Sequence, residues 1–352
     1  MIYPIQPYNL NNYRHKVSFR GYNNDTYHVK SKNKMDYCIH ETYFFRNIET
    51  LEFIKDYILK TFPKGTNIAD FGCSNGEEAY SLGMLLSRQN KNKKYKITGY
   101  DLSQKVLDLA QSGPFEKAGG YSELTISNDS YYEKSDRKYL KDIFFECFNK
   151  LPAKYIDFNY TDEGKKLLDE RIKNQTDLEK LLILKCIKNM MSNYHKYDSG
   201  NIYLPKAVFI KGVFDFKQGD INDLSQILKP DGKTGVIIFK NAWYHVTGSR
   251  HTYALDEIDL EKAEKIMKAA HKILPENGIL VVGNLQNDHL YSNNQGRYFF
   301  QDGKRIRVCD DTPFHNALRK SGFKPVFYEQ IKDKYDENIK KEIYLPSVWQ
   351  KV

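Results

Sequence analysis

Asp70-Phe-Gly-Cys-Ser-Asn-Gly-Glu-Glu78 is a turn between two different hydrophobic rhythms. Before it runs a short apolar stretch, Asn67–Cys73 (NIADFGC), which reads as a buried strand entering a tight turn. After it, Glu77–Arg88 repeats apolar residues at Leu82, Leu85 and Leu86, which is helical spacing. The segment therefore opens a βα unit. Gly72 and Gly76 carry no Cβ, so the backbone there can approach a ligand closely. The helix behind them presents free N–H groups. In a dinucleotide site those groups face a pyrophosphate. Here Glu77 and Glu78 stand at the mouth of the loop. Their charge repels a pyrophosphate and suits a ligand bearing an ammonium or a sulfonium, which turns the reading towards S-adenosylmethionine. A tight turn whose acids serve only the helix dipole accounts for the same residues without a ligand.

Working outward, the βα rhythm continues. Ile48–Thr61 has helical spacing through Leu51, Ile54, Ile58 and Leu59. Lys96–Leu102 is a second strand and Gln104–Gln111 a second helix, stopped by Gly113. Asp101 closes the second strand, where an α/β fold places the acid that binds ribose hydroxyls; an N-cap role is the alternative. Val213–Ile221 alternates and ends on Asp220-Ile221, the place of a third ligand contact. Gly235–Trp243 and Gly278–Gly283 read as strands, Leu255–Leu274 and Pro313–Ser321 as helices. Lys324–Ile331 and Glu342–Val352 read as a closing antiparallel pair. Repeated βα units predict a mostly parallel sheet with helices on both faces. One stretch interrupts the rhythm. Residues 114–211 are far longer than a crossover needs. They are rich in Tyr, nearly balanced in charge and helical by pattern, and they read as an inserted subdomain beside the ligand edge.

Composition sets the bounds. The chain has 352 residues, 40% of them apolar, and a net charge of +9. That is enough apolar material for a real core, which excludes a disordered chain. Residues 1–35 hold six basic side chains against one acid, and read as a mobile basic arm, either a docking arm for an acidic partner or a solvated tail. No nucleic-acid motif accompanies the charge, so no nucleic-acid partner is expected. Five cysteines, widely spaced and without a C-x-x-C pair, point to reduced thiols and to no structural metal site. No apolar run approaches the roughly 20 residues of a membrane span, and residues 1–16 lack a leader pattern. The expectation is a cytoplasmic protein without membrane insertion. Nothing in the sequence indicates the oligomeric state.

Five segments together resemble one family, the CheR-type S-adenosylmethionine-dependent methyltransferases that modify chemotaxis-receptor glutamates. They are ETYFFR at 41–46, CSNGEEAYSLGMLL at 73–86, GYDLSQKVLDLAQSGPF at 99–115, IIFKNAWYHV at 237–246 and LPENGILVVGN at 274–284. The resemblance implies a Rossmann-like class I methyltransferase fold with a seven-stranded, mostly parallel sheet. It divides the chain into an arm at 1–35, a methyltransferase domain at 36–113 and 212–352, and the helical insertion at 114–211. It also implies roles. Thr42 and Arg46 face the methionyl part of the cofactor, with Gly72, Ser74 and Gly76 forming the loop beneath. Glu78 binds its polar groups and Asp101 its ribose. Leu102, Asp220 and Ile221 flank the adenine. Lys240 stands where the family has Arg, and His245 where it has Tyr. Arg46 and His245 are then the catalytic candidates. The implied activity is O-methylation of a protein carboxylate, and the implied partner is an acidic protein substrate. Two other readings share these residues: a methyltransferase with a different acceptor, and a cofactor-binding interaction protein without catalysis.

Overall fold

The computed structural model describes residues 44–89, 95–112, 139–152, 173, 201–240, 242, 243, 246, 259–282, 297–301, 304–308, 313–331 and 342–352. Helix α1 (Ile48–Thr61) buries Ile48, Leu51, Ile54 and Ile58 on one stripe. Each such side chain contributes about 1.5–3 kcal/mol of hydrophobic stabilisation. Then follow β1 (Asn67–Phe71), α2 (Glu77–Gln89), β2 (Lys96–Asp101) and α3 (Gln104–Ser112). α2, β2 and α3 match the boundaries read from the sequence to within a residue, and β1 ends two residues before the Cys73 read as its end. Next come α4 (Tyr139–Cys147), β3 (Phe148–Pro152), β4 (Asn201–Pro205), β5 (Phe214–Gln218) and β6 (Thr234–Ile238). The chain ends through α5 (Leu260–Ile273), β7 (Ile279–Val281), β8 (Arg297–Gln301), β9 (Lys304–Val308), α6 (Pro313–Lys320), β10 (Phe323–Ile331) and β11 (Glu342–Lys351).

The main sheet runs β5-β2-β1-β6-β7-β11, with β10 on the far side of β11. Strands β5, β2, β1, β6 and β7 are parallel neighbours. β11 is antiparallel to both β7 and β10. This is the seven-stranded, mostly parallel α/β sheet that the sequence predicts, with one reversed strand. The hairpin β8–β9 is an addition the sequence reading lacks. It joins through β9, which pairs parallel with Glu342–Tyr344 of β11.

The side chains of the central strands alternate between two cores. Ile68, Val236, Ile238, Ile279 and Val281 face the core shared with α1, α2 and α4. Ala69, Phe71, Ile237, Phe239 and Leu280 face the core shared with α5 and α6. Burial on both faces is why these strands read as unbroken apolar runs.

The described part of 114–211 is built into this frame. Leu140, Ile143, Phe144 and Phe148 are buried in the same core as α1 and α2, and Phe144 stacks on Phe148 with ring centroids 4.5 Å apart. β3 and β4 form a separate two-stranded antiparallel sheet that brings the two ends of the long excursion together. The expected helices between Thr161 and Tyr194 lie outside the described residues, apart from Lys173. The basic arm at 1–35 lies outside them as well.

Several expected elements are shorter than read: the strand read over Val213–Ile221 is Phe214–Gln218 and the one read over Gly278–Gly283 is Ile279–Val281. The strand expected over Gly235–Trp243 ends at Ile238, because the chain turns off the sheet and carries Lys240 with it. Helix α5 begins at Leu260, where Asp259 caps it by accepting the Lys262 N–H at 3.0 Å. No helix among the described residues is long and apolar enough to cross a membrane.

Candidate active site

The carboxyl ends of β1, β2, β5 and β6 converge, which is where open α/β sheets bind ligands. The loop after β1 passes through three left-handed residues, Gly72 (φ 70°), Ser74 (φ 51°) and Gly76 (φ 85°). At Gly72 a Cβ would stand 3.2 Å from Ala242, and at Gly76 one would stand 2.9 Å from the Phe216 ring. Those two glycines are therefore required by close packing as well as by φ. Ser74 takes the same backbone region at a cost of about 1–2 kcal/mol, and the loop repays it with a bond: Ser74 N–H donates to Asp101 Oδ2 at 2.9 Å.

Asp101 is a junction. Its Oδ1 accepts the Ser103 N–H at 3.0 Å, and its backbone carbonyl accepts the Gly219 N–H at 3.1 Å. Its carboxylate thus ties together the loops after β1 and β2, and its carbonyl adds the loop after β5. Each oxygen retains a lone pair, so the group can also accept from a hydroxyl of a bound molecule. Leu102 follows it and is 42% exposed, an apolar surface open at the mouth. Asp220 is half-buried and accepts from the Asn222 N–H at 2.9 Å and from the Asn222 side chain at 2.7 Å, as the cap of a short turn. Ile221 is buried with Leu224 and Tyr100.

At the other end of the site, Lys240 Nζ lies 2.8 Å from Glu78 Oε2, with the lysine side chain only 1% exposed. Asp70, at the end of β1, is in the same field. Burial holds its carboxyl well above the ordinary carboxylate range; Glu78 raises it further, Lys240 opposes, and Asp101 adds to the rise. Glu329, arriving from β10, is also buried, and burial raises its pKa against the opposing charge of Lys240. A single buried ammonium therefore stands among three carboxyl groups.

Arg46 sits in the turn that enters α1, between Phe45 (φ 58°) and Asn47 (φ 54°). The Phe45 N–H donates to Ser81 Oγ at 2.8 Å, and Ser81 in turn donates to the Glu77 carbonyl at 2.6 Å. The Arg46 turn is thereby fastened to α2, the helix that carries Glu78.

Of the residues singled out in the sequence, Gly72, Ser74, Gly76, Glu78, Asp101, Leu102 and Lys240 line one edge of the sheet, with Asp220 and Ile221 beside them and Arg46 on the helix side. Thr42 and His245 lie outside the described residues. Asp70 and Glu329 were missed as site residues. Asp70 could have been found, because it ends β1 as Asp101 ends β2. Glu329 gave no signal, since it lies far along the chain in an ordinary strand. No group of three or more His, Cys, Asp or Glu placed to hold a metal ion occurs among the described residues.

Comparison with known proteins adds a family to this geometry. Residues 40–178 match the model of the CheR methyltransferase SAM-binding domain. Over that segment the chain is similar to that domain. It is 41% identical over 78 residues to a chemotaxis protein methyltransferase of Campylobacter jejuni, a match covering 22% of this chain and 29% of that protein. It is 26% identical over 182 residues to the chemotaxis protein methyltransferase of Borreliella burgdorferi, covering 45% of this chain and 60% of the other. The matches thus span less than two thirds of these relatives' length. Among solved structures, a SAM-dependent methyltransferase from Methanosarcina mazei is similar at 12% identity and a TM-score of 0.33, over 82% of this chain and 93% of that one. DszA carbon methyltransferase is similar at 11% identity and a TM-score of 0.36, over 87% and 53%.

S-adenosylmethionine is the cofactor that a CheR-type SAM-binding domain implies, and the residues present fit it. Its amino-acid end is a zwitterion, and the buried Lys240–Glu78 pair is the complementary zwitterion. Its ribose needs an acceptor, which Asp101 offers. Its adenine needs an apolar face, which Leu102 offers.

Proposed function

We propose that the chain is an S-adenosylmethionine-dependent methyltransferase whose acceptor is a carboxylate on a protein, most simply a glutamate side chain. The observation that carries this reading is the Lys240–Glu78 pair, 2.8 Å apart with the lysine buried, at the sheet edge that also holds Asp101. A buried ion pair is a poor source of stability, so its presence beside an open loop favours a role in binding.

The cofactor supplies a methyl group on a sulfonium carbon. The protein's work is then to bind, to orient and to exclude water. A glutamate carboxylate, with an ordinary pKa near 4.3, is already ionised at neutral pH, so transfer needs no strong general base. It needs the nucleophile held at about 3–3.5 Å from the reacting carbon in a site without competing water. Lys240 and Glu78 hold the amino-acid end and Asp101 the ribose. Arg46, on its fastened turn, faces the methionyl part of the cofactor and from there attracts and orients the acceptor carboxylate. His245 or Tyr244 adds a hydrogen bond to the acceptor, and the stretch 114–211 serves as its platform.

A second reading has one observation in its favour. Asp70, Glu77, Glu78, Asp101 and Glu329 outnumber Lys240 and Arg46 at this edge, a balance that suits a cationic acceptor such as an amine. The two readings separate on the product. Purified protein is incubated with methyl-labelled cofactor and candidate acceptor proteins, and the labelled product is treated with mild alkali. A carboxyl methyl ester releases its label as methanol, whereas an N-methyl group keeps it. Alkali-stable label would overturn the carboxylate reading.

A further inference from the structure

Glu329 has been given no role in binding or transfer so far, yet it is 4% exposed and carries a carboxyl group into the protein interior. Its Oε1 accepts a hydrogen bond from Asn47 Nδ2, across the whole length of the domain in sequence. Glu329 stands in the field of Lys240, which opposes the effect of its burial, with Glu49 acting the other way. Asn47 is one of two non-glycine residues with positive φ that bracket Arg46; Phe45 is the other. Such a turn persists only where its surroundings over-determine it, and strain of this kind clusters at working sites. Here the surroundings act from both sides. Ser81 on α2 holds the Phe45 N–H, and Glu329 on β10 holds the Asn47 side chain.

We propose that Glu329 is a positioning residue: by anchoring Asn47 to β10 it fixes the left-handed turn that presents Arg46 to the cofactor edge. The inference rests on the proposed reading of Arg46 as a cofactor-facing group, and it goes beyond that reading by naming what holds the group in place. Burying an unpaired carboxylate for packing alone makes no physical sense. A carboxyl group that accepts from Asn47 and lies in the field of Lys240 joins the strained turn to the charge cluster at the carboxyl ends of the strands.

The test is a double-mutant cycle read by calorimetric binding of S-adenosylhomocysteine to the full chain. Glu329→Ala weakens binding about 10-fold, whereas Glu329→Gln, which keeps an acceptor for Asn47, stays within about 3-fold. In an Arg46→Ala background Glu329→Ala adds no further loss, because it acts through Arg46. Asn47→Gly keeps the positive φ and removes the anchored side chain, so it reproduces Glu329→Ala should that variant fold poorly. A folded Glu329→Ala that binds as wild type, or a loss that persists in full on top of Arg46→Ala, overturns the proposal. Hydrogen exchange separates this from failure of the functional reading. If the wild type binds no cofactor, the functional reading fails, and the Phe45 amide still decides the anchoring. It exchanges at least about 10-fold faster in Glu329→Ala but not in Glu329→Gln if Glu329 holds the turn, and equally in all three proteins if it does not.

Discussion

Replacing Lys240 by Met removes the one ammonium from a buried cluster and keeps the length of the side chain. At 2.8 Å the attraction between Lys240 and Glu78 is worth about 6 kcal/mol at an effective dielectric constant of about 20. Both groups lost hydration to make it, so the net cost of stranding the partner is about 3–5 kcal/mol. Against a total stability of roughly 5–15 kcal/mol for a domain, that is a large fraction. The cluster has an escape, which fixes the pH dependence. Asp70 and Glu329 have pKa values raised by burial, and Lys240 lowers both. Without the lysine, both rise further. A carboxyl whose folded pKa exceeds its unfolded value binds more protons in the folded state, so it stabilises at low pH and loses that contribution as pH rises through the folded pKa. Lys240→Met is therefore more destabilising at pH 8 than at pH 6. Urea unfolding of wild type, Lys240→Met and Lys240→Met/Glu78→Gln at both pH values measures it. The double variant recovers at least about 1 kcal/mol, because it no longer buries an uncompensated charge. A single variant within about 1 kcal/mol of wild type at both pH values would refute the reasoning.

Three further outcomes are expected. His315 is buried, with its pKa held down at about 3 by desolvation and by Arg319, so it stabilises the fold at neutral pH and loses that contribution as pH falls from about 6.5 towards 3. His315→Phe then shrinks the loss of stability between pH 7 and pH 4 by roughly 2–3 kcal/mol, measured by urea midpoints. Gly83→Ala destabilises by about 1–3 kcal/mol although it lies within α2; helix propensity alone would favour Ala by about 1 kcal/mol, but the new Cβ would stand 2.2 Å from the Phe214 ring. Arg46→Ala lowers methyl transfer at least about 10-fold in a labelled-cofactor assay on the folded protein, and an unchanged rate would remove Arg46 from the site.

The fold is legible in the sequence where the physics is local. β1, α2, β2 and α3 follow from apolar periodicity and from the glycine punctuation at 72, 76 and 113. The parallel pairing of the central strands follows from the βα rhythm. The parts that escape are those set by tertiary partners. Strand β9, KRIRV, is cationic at three of its five residues and becomes a strand because β11 is long enough to offer it an edge. Helix α4 lies in a long excursion, yet its apolar stripe joins the central core. In the site, Asp101 and Glu78 are legible because they end a strand and begin a helix at fixed distances from a glycine turn. Their partners are not. Nothing in a single sequence pairs Asn47 with Glu329, since the contact is made by the return of β10 against α1.

The account stands on one binding event. The direct measurement is calorimetric titration of the full chain with S-adenosylmethionine and S-adenosylhomocysteine, for wild type, Asp101→Asn and Asp101→Ala. Asp101→Asn keeps one acceptor oxygen, enough for one of the two loop N–H groups that Asp101 now serves at 2.9 and 3.0 Å, and sets a donor NH2 against the other, so it is the milder of the two perturbations. The account predicts saturable binding by wild type, at least about 10-fold weaker binding by Asp101→Asn, since a charged acceptor is worth about 1.5–3 kcal/mol, and none by Asp101→Ala. A folded wild type that binds neither molecule would contradict it.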